Sequence, residues 1–78
     1  MSRVYKPLTC KDVKKILKNL GFLYRNQVGS HENWVRYTPP PFCKVTVDCP
    51  KAPFSQMLTS AMARQAGVSR AEFYRSLH

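Results

Sequence analysis

Acidic residues are scarce in this sequence. Its 78 residues include four Asp and Glu against 13 Lys and Arg, which gives a formal net charge of +9 at pH 7. A positive field this strong on so small a chain attracts polyanions, which means nucleic acid, an acidic partner protein or an anionic membrane surface. A basic surface that only keeps the protein in solution is the alternative interpretation of the same charge.

The chain also lacks a long hydrophobic segment. Its apolar runs are only a few residues long, whereas a membrane-spanning helix needs roughly 20 apolar residues, so no membrane partner is expected. Met1–Pro7 contains no apolar stretch typical of a secretory signal. The three cysteines, an odd number, then favour reduced thiols, and we expect a cytoplasmic protein.

Nothing in the sequence indicates more than one domain. There is no internal repeat, and Pro39-Pro40-Pro41 is long enough for a turn but not for a linker. We therefore expect residues 1–78 to form a single domain with its core at about 9–75. A domain of this size has a small hydrophobic core, so a partner protein is expected to add stability.

Residues 9–21 predict the first helix. Thr9 is a good N-cap, Asp12 follows three residues later as in a capping box, and Gly21 ends the pattern. Apolar side chains at positions 13, 16, 17 and 20 form one stripe. A second face carries four lysines at the same spacing, called the lysine ridge below: Lys11, Lys14, Lys15 and Lys18.

The middle of the chain predicts three strands, at 22–28, 31–38 and 42–47, with a tight hairpin turn at Gly29-Ser30 between the first two. Alternation in the third strand places one set of side chains on each face of the sheet. One set is Cys43, Val45, Val47 and Cys49, and the other is Lys44, Thr46 and Asp48.

Two helical segments follow. Residues from about Phe54 to Ala66 favour a helix with one apolar stripe, formed by Leu58, Ala61 and Met62. Ser69–Glu72 is a capping box that begins a short last helix, in which Phe73 and Leu77 are apolar. The order is α-β-β-β-α plus a short C-terminal helix. We therefore predict an α+β sandwich with a three-stranded antiparallel sheet, an order shared with the double-stranded-RNA-binding domain.

Several local patterns occur in an informative order. Leu20-Gly21-Phe22 ends the first helix, Gly29-Ser30-His31 lies at the hairpin turn, and Lys44-Val45-Thr46-Val47 precedes a helix that ends in Arg64–Ser69. Together these patterns, which cover nearly the whole chain, make it resemble the HicA toxin family of HicA/HicB toxin–antitoxin systems.

This resemblance implies a function. HicA-like toxins are endoribonucleases that act on mRNA, with a double-stranded-RNA-binding-like fold, and a HicB antitoxin neutralises them. The histidine of the Gly29-Ser30-His31 turn is then the catalytic residue, and we expect neither a metal nor another cofactor. The chain departs from many members at Glu32, where they carry a second histidine, and in its shorter loop at Asp48–Pro53.

The residue types fit RNA cleavage. A cleaving protein must deprotonate the 2′-OH and stabilise the phosphate charge, tasks suited to histidine and to cations. We hypothesise that His31 is the general base, with Lys44 or Arg36 near the phosphate; the alternative is an exposed turn histidine without a role. Lys51 and the ridge residues are expected to contact RNA, and the alternative for the ridge is a solvated helix face. The ridge candidates are Lys14, Lys15 and Lys18.

Other assignments remain open at this point. Trp34 and one of the tyrosines Tyr24 and Tyr37 are expected in the core rather than stacked on bases. Glu32 is expected as a solvated strand residue, with an electrostatic effect on His31 as the alternative. The cysteine spacing fits no usual zinc motif, so a zinc site is disfavoured. A non-catalytic RNA-binding module and a protein that only docks an acidic partner are the alternatives to a ribonuclease.

Overall fold

The first helix begins where the sequence predicts it. In the computed structural model, which describes residues 5–78, α1 spans Cys10–Asn19. The Thr9 hydroxyl accepts a hydrogen bond from the Asp12 backbone N–H, and the Asp12 carboxylate accepts one from the Thr9 backbone N–H, both at 3.1 Å. Gly21 follows the helix with a φ of +91°, a left-handed conformation that favours glycine. The predicted capping box and helix end are confirmed.

Three strands form an antiparallel meander, as predicted. β1 spans Leu23–Val28, β2 spans His31–Arg36 and β3 spans Cys43–Asp48, with β2 in the middle of the sheet. β2 ends earlier than the predicted boundary at Thr38, and β3 extends through Asp48, one residue beyond its predicted end. The prediction of an α+β fold with a three-stranded antiparallel sheet is confirmed.

One face of the sheet, called the inner face below, packs against the helices. Trp34, Val45 and Val47 lie on it, within one buried hydrophobic cluster that also includes apolar side chains of α1. Trp34 is only 4% exposed and contacts the Tyr24 ring edge-on, with 5.8 Å between ring centroids. The expectation of a core residue is therefore confirmed for the tryptophan, but it is wrong for the tyrosines, since Tyr24 is 51% and Tyr37 is 59% exposed.

The opposite face, called the outer face below, carries the other half of each strand. Because side chains alternate along a strand, His31, Asn33 and Val35 of β2 share this face with Lys44 and Asp48 of β3, which lie opposite Val35 and His31. His31 and Lys44 are exposed, and Val35 is buried outside the main cluster. The two faces therefore present different chemistry, apolar on one side and mostly polar on the other.

The second long helix begins later than predicted. α2 spans Gln56–Gln65, and its N-cap Ser55 accepts a hydrogen bond from the Leu58 backbone N–H at 3.2 Å. Phe54 lies before the helix, because its backbone N–H donates to the Leu8 carbonyl at 2.9 Å in an isolated β-bridge. The predicted start of this helix at about Phe54 is therefore two residues too early, because Phe54 belongs to the bridge and Ser55 is the N-cap.

The buried stripe of α2 also differs from the predicted one. Leu58 and Ala61 are only half-buried, since α2 lies along the edge of β3, where the Gln65 side chain accepts a hydrogen bond from the Thr46 backbone N–H at 3.3 Å. The helix instead turns a neighbouring stripe toward the core: Thr59, Met62, Ala63 and Ala66.

A short helix, α3, follows at Arg70–Arg75. Its N-cap Ser69 accepts a hydrogen bond from the Glu72 backbone N–H at 3.1 Å, which confirms the serine half of the predicted capping box. Phe73 and Leu77 are buried in the same cluster as the sheet and α1. The three helices, β2 and β3 thus pack around one core, whereas every residue of β1 is exposed.

Two of the three cysteines are joined in a disulfide. Cys10 begins α1, and Cys49 begins a short 3₁₀ turn, Cys49–Lys51, that follows β3. Their Cα atoms are 5.2 Å apart, within the range of roughly 4.4–6.8 Å that disulfides require. The expectation of three reduced thiols is therefore wrong for this pair, because the fold brings together residues 39 positions apart, and Cys43 is the free cysteine.

We expect the disulfide to stabilise the fold by restricting the unfolded chain. For a loop of 39 residues, chain-entropy arguments give a contribution of about 2–4 kcal/mol. The Cys10→Ala/Cys49→Ala variant should therefore unfold at a lower urea concentration than the wild type, and dithiothreitol should lower the midpoint of the wild type but not that of the variant. Cys43→Ala is the matched control and should retain the effect of dithiothreitol; equal midpoints with and without dithiothreitol in the wild type would contradict the prediction.

Candidate active site

His31 is presented by a tight hairpin turn. Gly29 and Ser30 form the two-residue connection between β1 and β2, and Val28 pairs with His31 across it. Gly29 has a φ of +60°, whereas Ser30 does not have a positive φ, a combination typical of a type II′ turn with glycine in its first central position. The Gln27 side chain donates to the Gly29 carbonyl at 2.9 Å. The predicted turn thus sets the start of β2 at His31.

The His31 side chain contacts the carboxylate of Asp48. The two residues are paired across β2 and β3, and the His31 Nε2 atom lies 3.3 Å from the Asp48 Oδ2 atom. Ser30 donates its hydroxyl to the other carboxylate oxygen at 2.9 Å. The Asp48 side chain is 18% exposed and that of His31 is 55% exposed, so the carboxylate is mostly buried, whereas the imidazole faces solvent.

This arrangement fixes the role of each ring nitrogen. When His31 is neutral, Nε2–H donates to Asp48 and the lone pair is on Nδ1, where it can accept a proton from a bound group. A histidine held by an aspartate is therefore suited to general base catalysis.

His31 and Asp48 line the mouth of a cavity of about 170 Å³ between β3 and α2. Lys51 lies on the same rim, with its Nζ atom 4.0 Å from Asp48 Oδ2 and its side chain 62% exposed. The opposite wall is apolar and includes Leu58, Ala61 and Met62, the three residues of the apolar stripe predicted for this helix. The cavity thus combines a proton acceptor, an exposed cation and an apolar wall.

Of the predicted RNA-contacting residues, Lys51 is therefore next to His31, whereas Lys44 lies elsewhere on the outer face, opposite Val35. The sequence predicts Lys51 as an RNA contact, but no local motif in it points to Asp48. The signal that could have found Asp48 is the hairpin geometry, since three strands of equal length joined as a meander bring the start of β2 beside the end of β3.

Arg36 does not belong to this site. It lies at the far end of β2, where its Nη1 atom donates to the Leu20 carbonyl at 3.1 Å and its Nη2 atom donates to the Ala66 carbonyl at 3.5 Å. Its guanidinium also stacks over the Phe22 ring, 5.0 Å from the centroid. Arg36 therefore ties α1 and α2 to the sheet, and the hypothesis that it lies near the phosphate at His31 is not supported by its position.

The lysine ridge lies on α1, where Lys11, Lys15 and Lys18 are exposed. Lys14 is different, because its Nζ atom forms a 2.8 Å ion pair with Glu32. Glu32 itself is 9% exposed and accepts a hydrogen bond from the Trp34 indole N–H at 3.3 Å. The expectation of a solvated glutamate is therefore wrong, since alternation in β2 turns Glu32 to the inner face.

The cysteines do not form the zinc site that the sequence already disfavoured. Cys43 lies at the opposite end of β3 from His31, beside Arg36. Cys10, Cys49 and Glu32 do place ligand atoms within 4.8 Å of one another, but the two sulfurs are bonded to each other. A bonded sulfur is not the thiolate that binds zinc, so we assign no metal to this cluster.

In comparisons with known proteins, the chain matches no family model, no curated protein and no solved structure. Within residues 5–78, none of the helices has the length and hydrophobicity needed to cross a membrane.

The ion pair between Lys14 and Glu32 should contribute to stability, because Glu32 is mostly buried and would otherwise lack a counter-charge. We expect Lys14→Met to lower the free energy of unfolding by about 1–3 kcal/mol, measured by urea denaturation. The matched control is Lys15→Met, which removes the same charge from an exposed position and should leave the free energy nearly unchanged. Equal losses in both variants would show that net charge, and not the ion pair, is responsible.

Proposed function

We propose that this protein is a HicA-like toxin, an endoribonuclease that cleaves mRNA with His31 as its general base. The observation that carries the proposal is the contact between His31 Nε2 and Asp48 Oδ2 at 3.3 Å, with the imidazole exposed at the rim of a cavity. The Ser30 hydroxyl donates a hydrogen bond to the same carboxylate at 2.9 Å and so orients Asp48 beside His31. The resemblance in the Gly29-Ser30-His31 motif supports the same residue.

The proposed chemistry uses the nucleophile that RNA carries. Nδ1 of His31 takes the proton of the 2′-OH, and the 2′-oxygen attacks the adjacent phosphorus while the bond to the 5′-oxygen breaks. Asp48 stabilises the imidazolium, which then returns a proton to the leaving oxygen directly or through water. One histidine can serve in both steps, and this chain's other histidine, His78, is its last residue, beyond α3.

Lys51 is the cation best placed to stabilise the phosphate. Its ammonium shares the rim of the cavity with His31 and is 62% exposed, so it is free to approach a ligand. Preorganised positive charge near the developing phosphate charge is a major source of catalysis. The net charge of +9 adds a long-range attraction that brings RNA to this rim.

We further propose that the fold is of the double-stranded-RNA-binding type. The order of helices and strands and the meander of three strands agree with that arrangement. In such domains the region before the second helix meets phosphates, and Lys51 lies in this region, in the 3₁₀ turn that ends five residues before α2 begins. Lys15 and Lys18, two of the three exposed residues of the lysine ridge, provide further phosphate contacts, whereas Lys14 is engaged with Glu32.

The proposed partner is a HicB-like antitoxin that covers this rim. The apolar wall contributed by Leu58 and Ala61 suits a partner side chain of the same character, and Lys51 suits a carboxylate. Occupying the cavity would keep RNA away from His31. We place this pair in the cytoplasm because mRNA is there, and the disulfide between Cys10 and Cys49 removes the support that reduced thiols would have given to this compartment.

A non-catalytic RNA-binding module is the second candidate function. It is favoured by Glu32, which stands where many family members carry a second histidine and which is engaged with Lys14 on the inner face. This position therefore does not supply a second histidine for proton transfer beside His31. This candidate keeps the RNA-binding surface and removes only the cleavage step.

We expect His31→Ala to lower the rate of RNA cleavage by roughly 10²–10⁴-fold, the usual contribution of a general base. Asp48→Asn should also slow cleavage, because an amide can donate to Nε2 and so leave the proton on Nδ1. The measurement is cleavage of a labelled RNA in gel assays, together with growth arrest on expression. DNA of the same sequence, which lacks the 2′-OH, should remain intact.

The control for this experiment is His78→Ala, which removes the other histidine and should cleave at the wild-type rate. A folded His31→Ala variant that cleaves as fast as the wild type would rule out the proposed mechanism. A wild-type protein that binds RNA but never cleaves it would favour the non-catalytic module.

RNA affinity should also fall as salt is added. Each phosphate contact contributes a slope of about −0.7 to log K against log salt for single strands. We expect Lys51→Ala to make that slope shallower by about 0.7, the contribution of one phosphate contact. A wild-type affinity that is independent of salt would instead indicate a protein that docks only an acidic partner.

A further inference from the structure

A shallow groove of about 220 Å³ lies on the outer face of the sheet, near His31. Arg25 and Asn26 of β1, Asn33 of β2 and Lys44 of β3 line it. Asn33 follows His31 by two residues on the same strand, so the two side chains share a face at a spacing of roughly 7 Å. The groove and His31 therefore belong to one continuous surface.

An irregularity in strand pairing brings two consecutive side chains of β1 to this groove. Tyr24 pairs with Trp34 and the next pair is Asn26 with Asn33, which leaves Arg25 as the extra residue of a β-bulge. In a regular strand, consecutive side chains point to opposite faces. The bulge instead lets Arg25 and Asn26 both line the groove, and bulges beside functional sites commonly redirect side chains in this way.

Hydrogen bonds hold the two amides of the groove in one orientation. The Thr46 hydroxyl donates to Asn33 Oδ1 at 3.1 Å, and Asn33 Nδ2 donates to Asn26 Oδ1 at 2.8 Å. Each amide oxygen therefore already accepts a bond from a neighbour. The Asn26 amide retains two N–H donors and the Asn33 amide retains one, so the amide groups offer the groove mainly donors.

Arg25 and Lys44 add two positive charges at the same place. Within residues 5–78, neither forms an ion pair with a carboxylate, and both are exposed. The two acidic residues of the sheet are engaged elsewhere, Glu32 with Lys14 and Asp48 with His31. A groove that combines two cations with amide donors attracts an oxyanion.

We propose that this groove binds a backbone phosphate of single-stranded RNA, adjacent to the phosphodiester at His31. The inference rests on the proposed ribonuclease function and specifies how its substrate is held. Arg25 and Lys44 neutralise the phosphate, while the Asn26 amide donates hydrogen bonds to its oxygens. At about 220 Å³ the groove is smaller than the roughly 300 Å³ of a drug-sized pocket, so it suits one phosphate and its sugar.

A single strand fits this surface better than a duplex. Proteins recognise double-stranded RNA across successive grooves of a long helix, whereas extended single strands follow a charged groove on the protein. The spacing between His31 and Asn33 is short enough for neighbouring phosphates of one strand to reach both. Binding in the groove then determines which phosphodiester lies at His31.

The test compares two double variants that each remove two positive charges. Arg25→Ala/Lys44→Ala alters the groove, and the matched control Arg64→Ala/Arg75→Ala alters exposed positions on α2 and α3. The probe is a fluorescent single-stranded RNA with 2′-O-methyl groups, which lacks the nucleophile and stays intact. Affinity is measured by fluorescence anisotropy over a series of salt concentrations.

We expect the groove variant to bind at least about tenfold more weakly, with a salt slope reduced by roughly 0.7 for the lost phosphate contact. The control variant should lose less than about threefold, since distant exposed charges are screened. The side-chain amide resonances of Asn26 and Asn33 should shift in NMR spectra when RNA is added, and more weakly with inorganic phosphate.

The outcomes separate this inference from the proposed function. Equal affinity losses in both double variants, or unshifted amide resonances, would overturn the groove even if His31→Ala abolishes cleavage. A wild-type protein that binds RNA through the groove but never cleaves it would overturn the ribonuclease and leave the groove standing. A duplex probe that binds as tightly as the single strand, with the same dependence on Arg25 and Lys44, would overturn the preference for single strands.

Discussion

The register of the β1–β2 hairpin is the constraint on which the rest of the site depends. The two-residue turn at Gly29 and Ser30 starts β2 at His31, and the pairing with β3 then brings His31 to Asp48. Because side chains alternate, a slip of one residue would exchange His31 and Glu32 between the two faces. The imidazole would then be buried near Lys14, and the candidate active site would not form.

Neighbouring residues engage three of the four acidic side chains of this protein, and the fourth lies in the first turn of a helix, so little negative charge offsets the exposed cations. Asp12 caps α1, Glu32 pairs with Lys14, Asp48 contacts His31, and Glu72 lies in the first turn of α3. Few carboxylates are left to neutralise the exposed cations around the sheet and on α1. The net charge of +9 is therefore presented to solvent, where it can act on a polyanion.

Local sequence patterns predicted the parts of the fold that depend on neighbours in the chain. The capping box of α1 at Thr9, the turn at Gly29 and the cap of α3 at Ser69 follow from residue types a few positions apart. Alternation predicted the burial of Val45 and Val47. Local patterns were less reliable at α2, because a stripe of apolar residues does not show how the helix is rotated against the sheet edge.

By itself, then, the sequence determined the order of helices and strands, the strong positive charge and the placement of His31 at a turn. Only the tertiary structure decided that Asp48 holds His31, that Glu32 is buried with Lys14 and that Arg36 ties the helices to the sheet. These contacts join residues far apart in the chain. They depend on strand register and helix packing, which no short window of sequence encodes.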